Sequence, residues 1–379
     1  MPVIIVHVHV TYWPVVSGLG RVVEKLAEGT VKLGHEVHVV TSTCGARDRP
    51  KNEVVNGVYV HRAKSVKLHY QDVTYLLEYP IEVFRKADIV HAHNQSLFAT
   101  KIIEKAHEQG TKVAIHIMSV DALNDYPNPI VRFFGPFYAS WLLRKALRAS
   151  DIKLVKSYRD MEILKNKYNV KALYVPDGID KDFITIPPIP DEFREKFGLQ
   201  DPFVIYIGRL HPLKGVYVLI KAMSFVAKEH PQLKAVIVGP GNQEPYRKLA
   251  RKLGIEKNII FTGYIDERTK ISALDASLAL VLPSICNYAE AFSIVTSESW
   301  ARGKPVIASS VGEMPYRVKH VVNGLLVPPR DPKALAEAIL LIANDEKLAN
   351  RLGNEGRKSV VTWDDIVIKL IDIFKSVNF

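Results

Sequence analysis

Ile89-Val90-His91-Ala92-His93, a helical run from Leu97 to Gln109, then Lys112-Val113-Ala114-Ile115-His116-Ile117. Two short apolar runs separated by about a dozen helix-period residues read as parallel strands joined by a crossover helix. The unit recurs on either side. Val3 to Val10, a helix from Gly20 to Leu33 and Glu36 to Thr41 form one copy, and Ile152 to Val155 and Ala172 to Val175 supply further strands. Asn56-Gly57, between Val54-Val55 and Val58-Tyr59-Val60, marks a hairpin, a local departure from the parallel pattern. After the Pro-rich Ile186-Pro187-Pro188-Ile189-Pro190, placed where a linker is expected, the pattern restarts: strand Phe203 to Ile207, helix Val216 to Lys228, strand Lys234 to Val238, helix Glu244 to Leu253, strands Ile259 to Thr262 and Leu278 to Leu282. Val306 to Ala308 and Leu325 to Val327 continue it, and helices Pro332 to Ala343, Glu346 to Ser359 and Trp363 to Val377 close it. The expected fold class is α/β, with two doubly wound domains in tandem and the default site in the cleft between them.

The bulk numbers fit. A chain of 379 residues, 47% hydrophobic and 24% charged, has material for two buried sheets and no disorder signature. The greasy start, Met1 to Val10, contains His7 and His9 and lacks a basic leader, so it reads as a first strand. Cys44 and Cys286 are the only cysteines and show neither disulfide nor zinc spacing, which favours a reducing cytoplasm. Net charge of +11 raises the odds of an anionic partner. No nucleic-acid fold signature accompanies it, so phosphorylated small molecules or an acidic membrane face are the better candidates, and no nucleic acid is expected.

Four segments carry chemistry. Glu290 and Glu298 bracket a strand-to-helix junction after Leu278 to Leu282, with a helix starting near Ser293 whose N–H groups would suit phosphate. Arg209 and Lys214, in Gly208-Arg209-Leu210-His211-Pro212-Leu213-Lys214-Gly215, follow a strand and can both reach one diphosphate, the guanidinium as a fork and the ammonium as a point charge. Neither a Walker pattern nor GxGxxG occurs in the chain. Gly18 and Gly20 follow the first strand and would let the backbone approach a ligand and adopt positive φ. His91, His93 and His116 end strands; a metal on His91 and His93 lacks an evident third ligand in the neighbouring sequence.

Together these segments resemble the retaining nucleotide-sugar glycosyltransferases of the GT-B fold, specifically glycosyltransferase family 4, over nearly the whole chain. The resemblance also rests on Leu33-Gly34-His35-Glu36-Val37, Val175-Pro176-Asp177-Gly178-Ile179-Asp180, Val238-Gly239-Pro240-Gly241, Phe261-Thr262-Gly263-Tyr264 and Asn323-Gly324-Leu325-Leu326-Val327. It implies a Rossmann-like acceptor-binding domain over 1–185, a linker at 186–200, a Rossmann-like donor-binding domain over 201–360 and a last helix, 361–379, crossing back to the first domain. By position, Arg209 and Lys214 would neutralise the donor diphosphate, and Glu298 would bind the ribose. Glu290 would hold the transferred sugar, and the amides of Phe292, Ser293 and Ile294 would lie at sugar and phosphate. Gly239 would belong to the donor site, Tyr264 and Ile265 would line the base, and Gly18 and Gly20 would touch phosphate or acceptor. His116 resembles the histidine beside the reacting carbon.

This chain departs from the pattern at Asp177, where relatives commonly have Asn; at Ala291-Phe292-Ser293, a loop usually rich in Gly; and at Gly239-Pro240-Gly241, usually Gly-Asp-Gly. The implied reaction is transfer of a sugar from a UDP-, GDP- or ADP-sugar to an acceptor hydroxyl on a glycan, lipid or small molecule, with retention, no cofactor and no metal. The competing expectations are a nucleotide-sugar epimerase and a non-catalytic sugar-nucleotide-binding subunit. The aromatic and basic stretch Asn128 to Arg148 reads either as an ordinary half-buried helix or as a surface for an anionic membrane, which would make a cytoplasmic protein peripheral to the inner face.

Overall fold

Strands with apolar side chains on both faces are satisfied only inside a covered sheet, and the Val- and Ile-rich runs lie in such sheets. In the computed structural model, which describes residues 2–15, 17–69 and 73–376, the chain forms two compact units, Met1–Asp177 with Trp363–Phe379, and Gly178–Thr362.

The first unit contains β1 (Ile4–Val8), β2 (Glu36–Ser42), β3 (Asn52–Val55), β4 (Val58–Ala63), β5 (Ser65–His69), β6 (Val73–Leu76), β7 (Ile89–Ala92), β8 (Lys112–Ile117), β9 (Ile152–Val155) and β10 (Leu173–Tyr174). Its main sheet runs β10-β9-β8-β7-β1-β2-β4-β3, parallel except for the β3–β4 hairpin. That hairpin turns on Asn56 and Gly57, both at positive φ (50° and 82°), as a tight right-twisting turn requires. β1 lies between β2 and β7, so the order of connection reverses there. The ribbon β5–β6 is an addition the sequence reading lacked.

Register places the histidines. His7 pairs with His91 and His91 with Ala114. Alternate residues of a strand share a face, so His7, His9, His91, His93 and His116 all point to the same side of the sheet. The terminal helix Trp363–Ser376 belongs to this unit and buries the stripe Trp363, Ile366, Val367, Leu370, Ile371 and Phe374. It packs closely on the helix Gly18–Lys32: a Cβ on Gly29 would come within 2.7 Å of Val367 Cγ2. Phe374 sets its ring edge on His91, 5.4 Å between centroids.

The second unit contains β11 (Phe203–Ile207), β12 (Lys234–Val238), β13 (Ile259–Gly263), β14 (Leu280–Leu282), β15 (Val306–Ser309) and β16 (Gly324–Val327), in the order β13-β12-β11-β14-β15-β16, all parallel. Here the reversal lies at β11, between β12 and β14.

The Pro-rich stretch expected as a linker is part of this second unit. Ile186 and Ile189 pack on its core, and the helix Pro190–Phe197 buries Phe193 completely. Ser272 ties the stretch down from the neighbouring helix, its Oγ accepting from Phe193 N at 2.8 Å. The prolines mislead because they punctuate the chain, while the apolar residues between them have a core to fill. Pro190 itself stands in the first turn of the helix, where a missing N–H costs nothing.

Candidate functional site

Parallel strands present their carboxyl ends together, and ligand crevices form where the connection order reverses. In the second unit, that point brings the loop after β11 and the loop after β14 side by side. Arg209 follows β11 and is exposed; its carbonyl accepts a hydrogen bond from the buried Tyr206 hydroxyl at 2.8 Å. Gly239, at φ 131°, lies so close beneath this loop that a Cβ would fall 2.0 Å from Gly208 O, and no side chain fits.

Lys214 ends the 3-10 turn Pro212–Lys214. Its ammonium donates to Ala289 O at 2.7 Å and to Glu290 Oε1 at 2.9 Å, and Ser284 Oγ donates to the same carboxylate oxygen at 2.6 Å. Glu290 is 1% exposed, and a carboxylate so removed from water is stable as an anion only with such partners. Its second oxygen, Oε2, is buried without a protein partner. The sequence reading gave Lys214 to the diphosphate and Glu290 to the transferred sugar without linking them; the structure joins them in one ion pair. An ammonium has three hydrogens, and these contacts use two.

The helix Ile294–Ala301 starts at Ser293, which holds a left-handed backbone (φ 68°, ψ 81°) and makes no side-chain cap bond. Glu298 is buried in this helix, its Oε1 2.8 Å from Lys270 Nζ. Lys270 also meets Glu267 at 2.8 Å. Burial alone would lower the Lys270 pKa, but Glu298 and Glu267 outweigh it and raise it above the usual value. Tyr264, just past β13, is 71% exposed, whereas Ile265 turns into the core.

In the first unit the loop glycines differ from expectation. Ser17 caps the helix Gly18–Lys32, its Oγ accepting from Gly20 N at 2.9 Å and sitting 2.7 Å from Thr11 Oγ1. Gly18 and Gly20 therefore fall inside the helix, and neither has positive φ. Gly20 serves a packing need, since a Cβ there would come 2.7 Å from Ser17 Oγ. Gly18 is open, with no atom within 4 Å of such a Cβ.

His116 is 7% exposed, with both ring nitrogens engaged: Nε2 lies 3.3 Å from Val175 O and Nδ1 2.8 Å from His91 Nε2. A carbonyl only accepts, so Nε2 of His116 carries the proton, Nδ1 accepts, and His91 donates from Nε2. His7 Nδ1 and His93 Nε2 share another bond at 3.0 Å. Burial is the main force lowering every pKa in this group: His7 and His116 to about 3, His9 to about 4, His91 and His93 well below 6.5. For His9 and His116 the Lys156 ammonium lowers the pKa further. Lys156 is itself buried and paired with Asp177, 2.9 Å from Oδ2, so the departure from Asn at 177 places a charge partner beside a buried cation.

Among the described residues, His7, His91 and His93 each offer a ring nitrogen within 4.8 Å of the others, the arrangement that could take a transition metal. His7 is the third imidazole that sequence spacing could not show, because it arrives through strand pairing. Lys270 and Arg317 were also missed. Arg317 donates to Ser293 O at 2.9 Å and to Ser297 Oγ at 2.6 Å, and it stacks 3.9 Å over the Phe292 ring.

Comparison with known proteins bears on the family and the fold. The model of Glycosyl transferases group 1 matches residues 190–359, and that of Glycosyltransferase Family 4 matches residues 16–183. An uncharacterized glycosyltransferase of Methanocaldococcus jannaschii, MJ1607, is 27% identical over 95% of both chains. Sucrose-phosphate synthase from Thermosynechococcus elongatus superposes with a TM-score of 0.76 at 22% identity, covering 99% of this chain and 98% of that one. Anabaena HepE in complex with UDP-glucose gives 0.74 at 18% identity, covering 99% and 100%. The two family models between them take in nearly the whole chain, one on each unit, and the chain belongs to glycosyltransferase family 4 within the glycosyl transferases group 1, a glycosyltransferase with the GT-B fold.

Proposed function

We propose that the second unit binds a nucleoside diphosphate sugar and that the protein transfers the sugar to an acceptor hydroxyl with retention at the anomeric carbon. The observation that carries this is the grouping at the β11–β14 reversal: exposed Arg209, Lys214 with one ammonium hydrogen to spare, and a buried Glu290 whose Oε2 has no protein partner. Cations suit a diphosphate, and an unsatisfied carboxylate oxygen suits a sugar hydroxyl. Glu298 would take the ribose hydroxyls. The amides of Phe292, Ser293 and Ile294, with Gly239 and the backbone at Tyr264 and Ile265, would complete the donor site. That HepE was solved with UDP-glucose is consistent with a donor of this class.

In the retaining step proposed, the acceptor oxygen forms its bond to the anomeric carbon as the bond to the diphosphate breaks. The departing phosphate oxygen takes the acceptor proton on the same face. No protein nucleophile is needed; Arg209, Lys214 and the helix start stabilise the developing diphosphate charge. His116, held neutral by burial in the first unit, is not a candidate for cationic stabilisation of the leaving group.

Two fixed cations make a divalent metal unnecessary in this reading. Asp180-Lys181-Asp182 carries closely spaced carboxylates of the kind that can hold a hard cation, so the point needs its own test. Full loss of activity in EDTA, restored by manganese, would contradict metal independence. A thermal-shift screen of nucleoside diphosphates and their sugars tests the donor, because binding to the native state raises the melting temperature. No shift with any member would remove the donor reading. NMR of the product anomer tests retention.

The helix Pro129–Arg148 favours a membrane surface on the acceptor side. Only Leu142, Leu143 and Ala146 are buried in it, while Ile130, Phe133, Phe134 and Phe137 are each at least 65% exposed. Arg132, Arg144, Lys145 and Arg148 lie in the same helix, a composition that suits an anionic bilayer. Among the described residues no helix is long and apolar enough to cross a membrane. Sedimentation with anionic liposomes at low and high salt decides: lipid-dependent pelleting that Phe133→Asp abolishes supports the surface, and no pelleting removes it.

A further inference from the structure

Ser293 is a non-glycine residue in the left-handed region, φ 68°, at the start of the carboxylate-bearing helix. Such a backbone persists only where its surroundings hold it. Its own side chain caps no backbone N–H of the helix and meets only the Thr296 hydroxyl, which donates to Ser293 Oγ at 3.2 Å. The holding comes from Arg317, 24 residues on and the last residue of the short helix Met314–Arg317. The guanidinium donates from one nitrogen to the carbonyls of Phe292 and Ser293 and from another to Ser297 Oγ. It covers the Phe292 ring at 3.9 Å. A planar fork with five N–H groups can span two successive carbonyls and a hydroxyl one helical turn away, which an ammonium cannot do.

We propose that Arg317 is the positioning residue of the donor site: it locks the turn 291–293 so that Glu290, the helix start and Glu298 keep their binding geometry. The role rests on the donor reading given above. Arg317 acts through the loop, and its effect is therefore on donor binding more than on the chemical step. The neighbouring backbone is fixed from the same side, with Glu313 N donating to Glu290 O at 2.9 Å and Gly312 N to Asn287 Oδ1 at 2.7 Å. Arg317 differs from these contacts in gripping the left-handed Ser293 itself.

The test is a double-mutant cycle in the full chain with Arg317→Gln, Ser293→Gly and both. Glycine adopts the left-handed backbone without support, so it should relieve the need for the guanidinium. Arg317→Gln is expected to speed amide hydrogen exchange across 291–296, measured without donor, by about tenfold or more. It should raise KM for the nucleotide sugar by about tenfold with kcat changed less than about threefold. Adding Ser293→Gly should restore most of both, and Arg317→Lys should fall between. Equal losses in the wild-type and Ser293→Gly backgrounds would overturn the proposal, as would unchanged exchange in Arg317→Gln. Failure of the wild-type chain to bind any nucleotide sugar would overturn the donor reading and the positioning role with it, whereas the exchange data report on the clamp alone.

Discussion

The two units use the same plan, parallel strands with a reversal of order, and furnish it in opposite ways. At the β1–β7 reversal five imidazoles share one face of the sheet, His91 against Phe374 of the terminal helix, and burial holds all five neutral. At the β11–β14 reversal the buried groups are charged and paired, Glu290 with Lys214 and Glu298 with Lys270. Desolvation acts on both. The first unit answers it by discarding charge, the second by matching each carboxylate to an ammonium. Beside the imidazoles the one buried ammonium, Lys156, is closed off by Asp177, whereas in the second arrangement Glu290 keeps an oxygen that a polar ligand can join.

The largest expected effect tests the neutral half. His7 and His116 have folded-state pKa values of about 3 and His9 about 4, against 6.5 when exposed. Below pH 6.5 the unfolded chain takes up protons that the folded chain refuses, so stability is full above that pH and falls as pH drops toward 4. Each such imidazole contributes a slope of about 1.4 kcal/mol per pH unit, and the three together roughly 4. Urea midpoints at pH 7, 6 and 5, followed by hydrogen exchange in β1, β7 and β8, measure it. A flat profile would mean that the imidazoles are not held neutral by burial.

Next comes the paired half. Arg209→Ala should cost about 2 to 4 kcal/mol of transition-state stabilisation, as loss of an oxyanion-type donor does, with the melting temperature unchanged because the side chain is exposed. Unchanged kcat/KM in a folded variant would sink its role. Lys214→Met strands the buried Glu290 carboxylate. Removing one partner of a fully buried pair costs about 3–5 kcal/mol, and Lys214 is partly exposed, so a loss of about 2–3 kcal/mol in the second unit is expected. Restoration of stability by the added change Glu290→Gln would identify the stranded charge as the cause.

These contrasts were unequally legible in the sequence. β8, β9, β11 and β12 match their expected limits residue for residue, because runs of branched apolar residues on both faces have no other use. The β5–β6 ribbon was not legible: Lys67 and Thr74 break its apolar runs, and pairing sustains it. Gly18 and Gly20 were misread because Ser17, the cap that begins the helix, was not given its due weight. The four charged site residues could be named from motif order. Their pairing could not, since Lys214 meets Glu290 across 76 positions and Lys270 meets Glu298 across 28. Arg317 was hidden for the same reason, and His7 needed strand register to become a neighbour of His91.

The smallest expected effect separates the two carboxylates of the charged site. Glu298 is assigned to the ribose and Glu290 to the transferred sugar, and a nucleoside diphosphate carries the first without the second. Glu298→Gln keeps a carbonyl oxygen for Lys270 but removes the charge that a ribose hydroxyl would meet, a change of about 1.5 kcal/mol, or roughly tenfold in Kd. Titration calorimetry with the diphosphate alone should show that loss. Glu290→Gln should leave diphosphate affinity within about threefold and lower kcat with the nucleotide sugar, since under the proposed assignment only the sugar would meet its Oε2. If Glu290→Gln weakened the bare diphosphate and Glu298→Gln did not, the assignments would have to be exchanged, and the unpartnered oxygen of Glu290 would face the nucleotide instead of the sugar.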